Sequence, residues 1–98
     1  MWFGVDFHGS FLVEREGEYQ FRLTADDGAK LLIDGEEIID DDGVHPPTAM
    51  EGTVRLTRGV HTIHLPYFQG PADLMACVLE VGHKGRPYKV FRADKPLR

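Results

Sequence analysis

The 98-residue sequence contains a single cysteine, Cys77. This excludes a framework of internal disulfides and a structural zinc site built from several thiolates. The longest run of apolar residues, Leu74–Leu79, is six residues long. Because a transmembrane helix needs about 20 such residues, insertion into a membrane as a helix is excluded as well.

Basic residues are scarce in the first half of the chain. Residues 1–51 carry 13 acids and 3 bases, whereas residues 52–98 carry 3 acids and 8 bases. General nucleic-acid binding is not expected, because it depends on a continuous basic surface. The opposed charges favour docking onto a neighbouring domain or a second copy of the chain. The first residues show neither the basic segment nor the apolar run of a signal peptide.

No segment shows the apolar period of a helix, and alternation with a period of two is frequent instead. In Tyr19–Thr24 every second residue is apolar, and Ile63, Leu65 and Tyr67 repeat the pattern, so these side chains are expected to face inward. About seven such strands with turn signals between them predict an all-β fold, an antiparallel, jelly-roll-like β-sandwich. The length suits one domain, residues 1–98.

Three dipeptides predict tight turns between consecutive strands, namely Asp27-Gly28, Asp34-Gly35 and Arg58-Gly59. Asp34-Gly35 is the strongest of them, because both central residues of a type I′ turn need positive φ. Each turn is expected to close a hairpin. In the hairpin around Asp34-Gly35, Leu31 is predicted to face Ile38.

Two segments are predicted to be irregular. Asp40–Pro47 combines acids with a proline pair, which indicates a long acidic loop. Gly82–Arg98 carries six Lys or Arg against one acid, Asp94. It is predicted to be a solvated basic tail or a last strand, with docking onto an acidic neighbour as the alternative.

A longer pattern connects these segments. Residues 17–35 read GEYQFRLTADDGAKLLIDG, followed by IID at 38–40, DGVH at 42–45, GVH at 59–61 and YFQG at 67–70. Over roughly residues 17–81 the sequence resembles the protective-antigen domain family, named for the N-terminal fragment of anthrax protective antigen. The resemblance implies a noncatalytic β-sandwich module of secreted or cell-surface proteins, with a role in carbohydrate binding or adhesion.

The resemblance also implies a ligand site. In lectin members of the family, two successive aspartates joined by a cis peptide bind a Ca²⁺ ion that also takes hydroxyls of a terminal sugar. Asp26 and Asp27 match that pair, which implies Ca²⁺ as a cofactor and a glycan as a partner. The competing interpretation is turn chemistry, in which the aspartates bond to nearby backbone amides and Gly28 adopts a positive φ.

Asp40, Asp41 and Asp42 are weaker candidates for the same cation, because they follow the next hairpin. They do not begin an EF-hand loop, since Val44 and His45 stand where that loop needs an oxygen ligand and a glycine. The competing interpretation is a solvated acidic loop.

The histidines, Cys77 and the one serine give only weak indications of a functional site. His61 and His64 lie three apart on a predicted strand, so they point to opposite faces and cannot share a metal. The family resemblance at Gly59-x-His61 implies that His61 is an inward histidine bonded to the backbone. Cys77 is expected to be a buried thiol. Ser10 lies in no hydrolase motif.

The resemblance implies further strands before the matched segment, so this sequence is expected to be truncated at its front. The resulting front edge is expected to be covered by the first residues of the chain, by its tail or by a second copy. Trp2, Tyr67 and Phe68 are candidates either for sugar stacking or for packing in the core and rim. Two functions therefore stay open: a glycan-binding module, and a structural or interaction module that mediates domain packing or self-assembly without sugar.

Overall fold

The computed structural model describes residues 2–25, 29–41, 48–71 and 77–98. The strands within these ranges are, in chain order, β1 (Trp2–Val13), β2 (Gly17–Ala25), β3 (Ala29–Ile33), β4 (Glu36–Asp41), β5 (Thr48–Leu56), β6 (Gly59–Pro71), β7 (Cys77–His83) and β8 (Lys89–Val90). Over the same residues no apolar helix long enough to cross a lipid bilayer is present.

The strands form two four-stranded sheets that pack face to face. The first sheet has the order β1-β6-β3-β4 and the second β5-β2-β7-β8, and neighbouring strands are antiparallel throughout. The predicted all-β sandwich is therefore confirmed.

One cluster of apolar side chains fills the space between the sheets. Burying each large member contributes about 1.5–3 kcal/mol relative to leaving it in water. Strands β1 to β7 and the C-terminal segment supply it, and its buried members are Phe11, Val13, Tyr19, Phe21, Leu23, Leu31, Ile33, Ile39, Leu56, Ile63, Leu65, Val81 and Leu97. Ile63 and Leu65 face inward as predicted, whereas the side chain of Tyr67 lies outside the described part of the structure.

At one end of the sandwich, which we call the crossover end, the chain passes between the sheets three times: from β2 to β3, from β4 to β5 and from β6 to β7. Ala25, the last residue of β2, pairs with Thr48 and Cys77, the first residues of β5 and β7. Ala29, the first residue of β3, pairs with Asp41, the last residue of β4. The ends of strands from both sheets are therefore gathered here.

The opposite end, which we call the hairpin end, holds the β3–β4 turn and the connections of residues 14–16 and 57–58. Ile33 pairs with Glu36 across the turn, and Asp34 and Gly35 have φ of 53° and 81°. Positive φ at both positions is the signature of a type I′ turn, so this predicted hairpin is confirmed.

The other two predicted hairpins are wrong. β2 pairs with β5 and β7 instead of β3, and β6 pairs with β1 and β3 instead of β5. Asp27 and Gly28 lie outside the described residues, while Gly59 has a φ of 136° where the chain changes sheets. Strands that face one core have the same alternating sequence pattern whether the chain reverses within a sheet or crosses to the other sheet. The pattern therefore does not distinguish the two connections.

The details of the β3–β4 pair also differ from the prediction. A bulge between Leu31 and Leu32 places Leu31 opposite Ile39 instead of Ile38, which brings two core residues together. β4 continues through Asp40 and Asp41, so the acidic loop does not begin at Asp40. The pairing partners of these two residues are Lys30 and Ala29.

The C-terminal segment is docked and is not a solvated tail. Leu97 is 4% exposed, its N–H donates to Leu12 O at 2.8 Å, and its carbonyl accepts from the Glu14 N–H at 2.7 Å. These bonds cover the hairpin end of β1, the edge strand of its sheet. Of the three coverings expected for the front edge, the tail therefore supplies one, beside Leu12 and Glu14.

Candidate functional site

The crossover end is the first candidate site. Asp26, Asp27 and Asp42 lie outside the described residues, so the structure does not test their predicted roles. The described strand ends before and after these residues are adjacent, because Ala25 pairs with Thr48 and Ala29 pairs with Asp41. Segments that carry several carboxylates therefore leave the sheets at the same end, and carboxylate oxygens are the ligands that Ca²⁺ prefers.

Asp40 and Asp41 stand at the border of this end. Asp40 is exposed on β4 and is paired in register with Lys30 of β3. Asp41 is the last residue of β4, and its side chain lies outside the described part.

A polar cluster on the outer face of the second sheet is fully paired. Arg22 binds Glu80 in a bidentate manner, through Nε at 2.8 Å and Nη2 at 3.0 Å, and its guanidinium lies 4.2 Å from the centre of the Tyr88 ring. Tyr88 Oη donates to Glu51 at 2.6 Å. Burial and the bond to Glu51 raise the pKa of Tyr88 to about 12. The carboxylates of Glu80 and Glu51 both have partners within the cluster. The cluster therefore links β5, β2, β7 and the residues before β8.

The hairpin end contains a buried histidine bonded on both sides. His61 Nδ1 lies 2.5 Å from Asp34 Oδ2, and His61 Nε2 lies 2.7 Å from Thr57 O. Asp34 Oδ1 also accepts from the Thr62 N–H at 2.9 Å. The predicted inward histidine bonded to the backbone is therefore confirmed, and Asp34 is a further partner that the sequence did not indicate.

The two ring nitrogens of His61 face oxygen acceptors, which only the protonated ring can satisfy with two N–H donors. Burial alone would lower the pKa of His61, but the bonds to Asp34 and Thr57 outweigh it and raise the pKa. Burial likewise opposes ionisation of Asp34, while the bonds from His61 and Thr62 lower its pKa overall. The pair is thus an internal ion pair that fixes the β3–β4 turn to β6.

A shallow groove of about 180 Å³ lies beside the docked C-terminal segment. Its apolar lining comes from Tyr19, Val81 and Leu97. Its polar lining is basic and comes from His83, Arg86, Lys89 and Arg98. Three of the eight Lys or Arg residues of the second half of the sequence therefore line this concave surface.

Sequence reasoning missed a histidine pair on the outer face of β1 and β6. His61 and His64 do point to opposite faces, as predicted, with His61 buried. His64, however, is directly opposite His8, and Asp6 lies beside both rings. The spacing of Asp6 and His8 indicates a shared face, but the match to His64 depends on the β1–β6 register.

The remaining predicted residues are placed only in part. Trp2 lies on β1, Tyr67 and Phe68 lie on β6, and Cys77 begins β7, but their side chains lie outside the described part. Their proposed roles in stacking or in the core therefore stay predictions. Ser10 is exposed on β1 and is paired in register with Thr62.

Comparisons with protein families and with solved structures point to the same domain family. The model of the PA14 domain family matches residues 2–90. The fold is similar to that of the PA14 domain of the MpAFP antifreeze protein, with a TM-score of 0.73 and 19% identity over 89% of this chain and 47% of that chain. It is also similar to the PA14 sugar-binding domain from an RTX adhesin, with a TM-score of 0.65 and 23% identity over 90% of this chain and 50% of that chain.

The chain thus spans about half the length of these two solved structures. No curated protein matches the sequence significantly. At such identities the two structures establish the fold alone.

Proposed function

Since the chain belongs to the PA14 domain family, as residues 17–81 indicated, we propose that it is a noncatalytic carbohydrate-binding module that serves adhesion. The fold it shares with a sugar-binding domain of an adhesin supports this role. An extracellular or cell-surface setting is part of the proposal, by analogy with the adhesin.

The glycan site in this proposal is at the crossover end and contains a Ca²⁺ ion held by Asp26 and Asp27. The observation that carries the proposal is the strand register, in which Ala25 pairs with both Thr48 and Cys77 while Ala29 pairs with Asp41. The chain segments next to the aspartate pair therefore start from neighbouring strand ends. Such an arrangement can supply oxygen ligands from several segments to one ion, as Ca²⁺ requires.

Three carboxylates elsewhere in the described residues have bonds to other partners. Asp34 binds His61, Glu80 binds Arg22, and Glu51 binds Tyr88. A cation at any of these would displace an existing bond. This supports the choice of the crossover end.

Ca²⁺ dependence is tested by thermal unfolding. Binding stabilises the folded state by RT ln(1 + [L]/Kd), which is about 2.7 kcal/mol at a hundredfold excess over Kd. We expect Ca²⁺ to raise the melting temperature, and Mg²⁺ to do so poorly because it retains its water and demands a tight octahedral shell.

The matched variants are Asp27→Asn and Asp94→Asn, which remove one charge each. Asp94 pairs with Arg92 in the C-terminal segment, remote in sequence from the proposed site. Asp27→Asn is expected to abolish the Ca²⁺ response and Asp94→Asn to retain it. An unchanged Ca²⁺ response of Asp27→Asn would contradict the assignment.

Glycan binding is tested on an array with Ca²⁺ and with a chelator. Retention of sugars by the wild-type protein is expected to disappear with the chelator and in Asp27→Asn. If the protein binds Ca²⁺ but no sugar, the ion is structural and the glycan-binding proposal is wrong.

A second function is favoured by the basic groove beside Leu97. As a structural or interaction module, the chain would place this groove against an acidic domain or against the acidic residues of a second copy. Such association weakens as salt screens the charges. Sedimentation velocity at low and high salt tests it, and a monomer at every concentration in low salt would rule out self-assembly.

A further inference from the structure

Three potential metal ligands meet on the outer face of the β1–β6 pair. Asp6 and His8 are two residues apart on β1 and share a face, and the register pairs His8 with His64 of β6. Asp6 Oδ1 lies 2.8 Å from His64 Nε2 and 3.3 Å from His8 Nε2. The two imidazole rings stack with their centres 3.8 Å apart and an angle of 18° between their planes.

A β-bulge lies at Asp6. The pairing of β1 with β6 shifts between Val5 and Phe7, so that Asp6 opposes Pro66 and Tyr67 together. Proline has no N–H to donate, which suits it to an interruption of the ladder. Bulges redirect side chains and occur often at functional sites. Here the irregularity lies beside the carboxylate that reaches both histidines.

We propose that Asp6, His8 and His64 bind a Zn²⁺ ion. One donor atom from each residue lies within 4.8 Å of the other two. Zinc binds nitrogen and oxygen at about 2.0–2.1 Å, so neighbouring ligands of a tetrahedral site are about 3.3 Å apart. The two donor distances from Asp6 Oδ1 are close to this spacing. Entry of the ion requires the two stacked rings to tilt, so that their in-plane Nε2 lone pairs converge on it.

The chemistry of the donors favours zinc over calcium. Two imidazole nitrogens and one carboxylate are a ligand set for late first-row metals, whereas Ca²⁺ takes six to eight oxygen atoms. Three protein ligands leave a fourth position for water or for a group from a partner. This site is formed by the middle of β6 and by β1, and none of its ligands belongs to the proposed Ca²⁺ site.

The exposure of the three ligands determines how easily solvent and an ion reach the site. The side chains of Asp6 and His8 are 60% and 68% exposed, and that of His64 is 31% exposed. Solvent can therefore reach the ion, and little desolvation opposes its entry. Because β1 is an edge strand, an ion shared by β1 and β6 would fasten that edge to its sheet.

The first experiment is calorimetric titration of Zn²⁺ into the untagged chain, because a polyhistidine tag would bind zinc itself. We expect one ion per chain. His8→Gln and His64→Gln should each weaken binding by more than about tenfold, since losing even an outer-shell partner of a metal site costs about 10–100-fold.

His83→Gln is the matched control. His83 lies on β7 and its Nε2 donates to Arg98 O at 2.9 Å, a bond that glutamine can also donate. This variant removes a histidine from outside the cluster and should bind Zn²⁺ as the wild type does. Equal loss in His83→Gln and His64→Gln would overturn the assignment.

Nitrogen NMR of the imidazole rings supplies a readout that is independent of stability. Added Zn²⁺ should shift the ring resonances of His8 and His64 and leave those of His61 unchanged, and Asp6→Asn should reduce the effect. Stoichiometric binding that survives in the doubly substituted His8→Gln, His64→Gln chain would place the ion elsewhere, and an absence of zinc binding would refute the site. Failure here leaves the Ca²⁺ response of Asp27 unaffected, so the two proposals fail separately.

Discussion

The two ends of the sandwich are built differently. At the hairpin end, polar groups find partners within the domain: Asp34 binds His61, and Tyr19 Oη donates to Arg15 O at 2.5 Å. Leu97 closes this end by packing against the core and pairing with β1. At the crossover end, the strand ends lead into segments rich in aspartate, among them Asp26, Asp27 and Asp42.

Because of this difference, we expect substitutions at one end to affect stability and substitutions at the other end to affect the proposed ligand binding. Buried side chains and bonds between elements distant in sequence hold the hairpin end, so substitutions there should change the free energy of unfolding. The segments that continue from the crossover end carry several carboxylates in the sequence, so under the proposed Ca²⁺ site substitutions there should change ligand binding instead. Each of the variants below should affect mainly one of these two quantities.

Leu97→Ala should have the largest effect on stability. Large-to-small substitution of a buried leucine costs about 2–5 kcal/mol, and Leu97 is 4% exposed. The matched control is Leu12→Ala, because Leu12 is 41% exposed on the neighbouring stretch of β1 and should cost less than about 1 kcal/mol. Urea unfolding of both variants measures the difference. Equal midpoints would mean that the C-terminal segment does not belong to the cooperative unit.

Asp34→Asn should have an intermediate effect that depends on pH. The pKa of His61 is raised above its ordinary 6.5, so the contribution of this group is complete below about pH 6.5 and is lost as pH rises through the folded-state pKa. The pKa of Asp34 is lowered below its ordinary 3.8, so its contribution is complete above about pH 3.8 and is lost as pH falls through the folded-state pKa. The pair therefore stabilises the fold most between about pH 4 and 6.5.

The loss in Asp34→Asn should be about 1 kcal/mol at pH 5.5, since solvent screens the half-exposed carboxylate, and should be smaller at pH 8.5. Asparagine is a suitable replacement because it tolerates the positive φ of the turn. Denaturant unfolding at the two pH values measures the effect. A loss that is the same at both would show that the bond, and not the charge, stabilises the pair.

The sequence predicted the elements and the parts that depend on local chemistry. Alternation at Tyr19–Thr24 gave β2, and the demand of a type I′ turn for positive φ gave the hairpin at Asp34-Gly35. It did not predict which strands pair, because the partner of a strand is set by long-range packing. The predicted hairpin at Arg58-Gly59 therefore fails, because the strands on either side of it, β5 and β6, lie in opposite sheets.

The candidate sites show the same limit. The inward position of His61 followed from its strand, but its bond to Asp34 spans 27 residues and follows only from the folded structure. The pairing of His8 with His64 joins residues still farther apart in the sequence. A bulge at Asp6 makes its register harder to predict. The roles of Asp26 and Asp27 rest on the family pattern and stay predictions, because both residues lie outside the described part of the structure.

The smallest effect is expected for Asp40→Asn, which tests where the proposed Ca²⁺ site ends. Asp40 is exposed on β4 opposite Lys30, and an exposed charge pair contributes little, so stability should change by less than about 0.5 kcal/mol. Because Asp40 lies within the strand, before the segment that leaves the sheet, it should contribute only long-range attraction to the ion. The rise in melting temperature with Ca²⁺ should therefore be nearly that of the wild type, measured beside Asp27→Asn. Loss of the whole response in Asp40→Asn would extend the proposed Ca²⁺ site into β4.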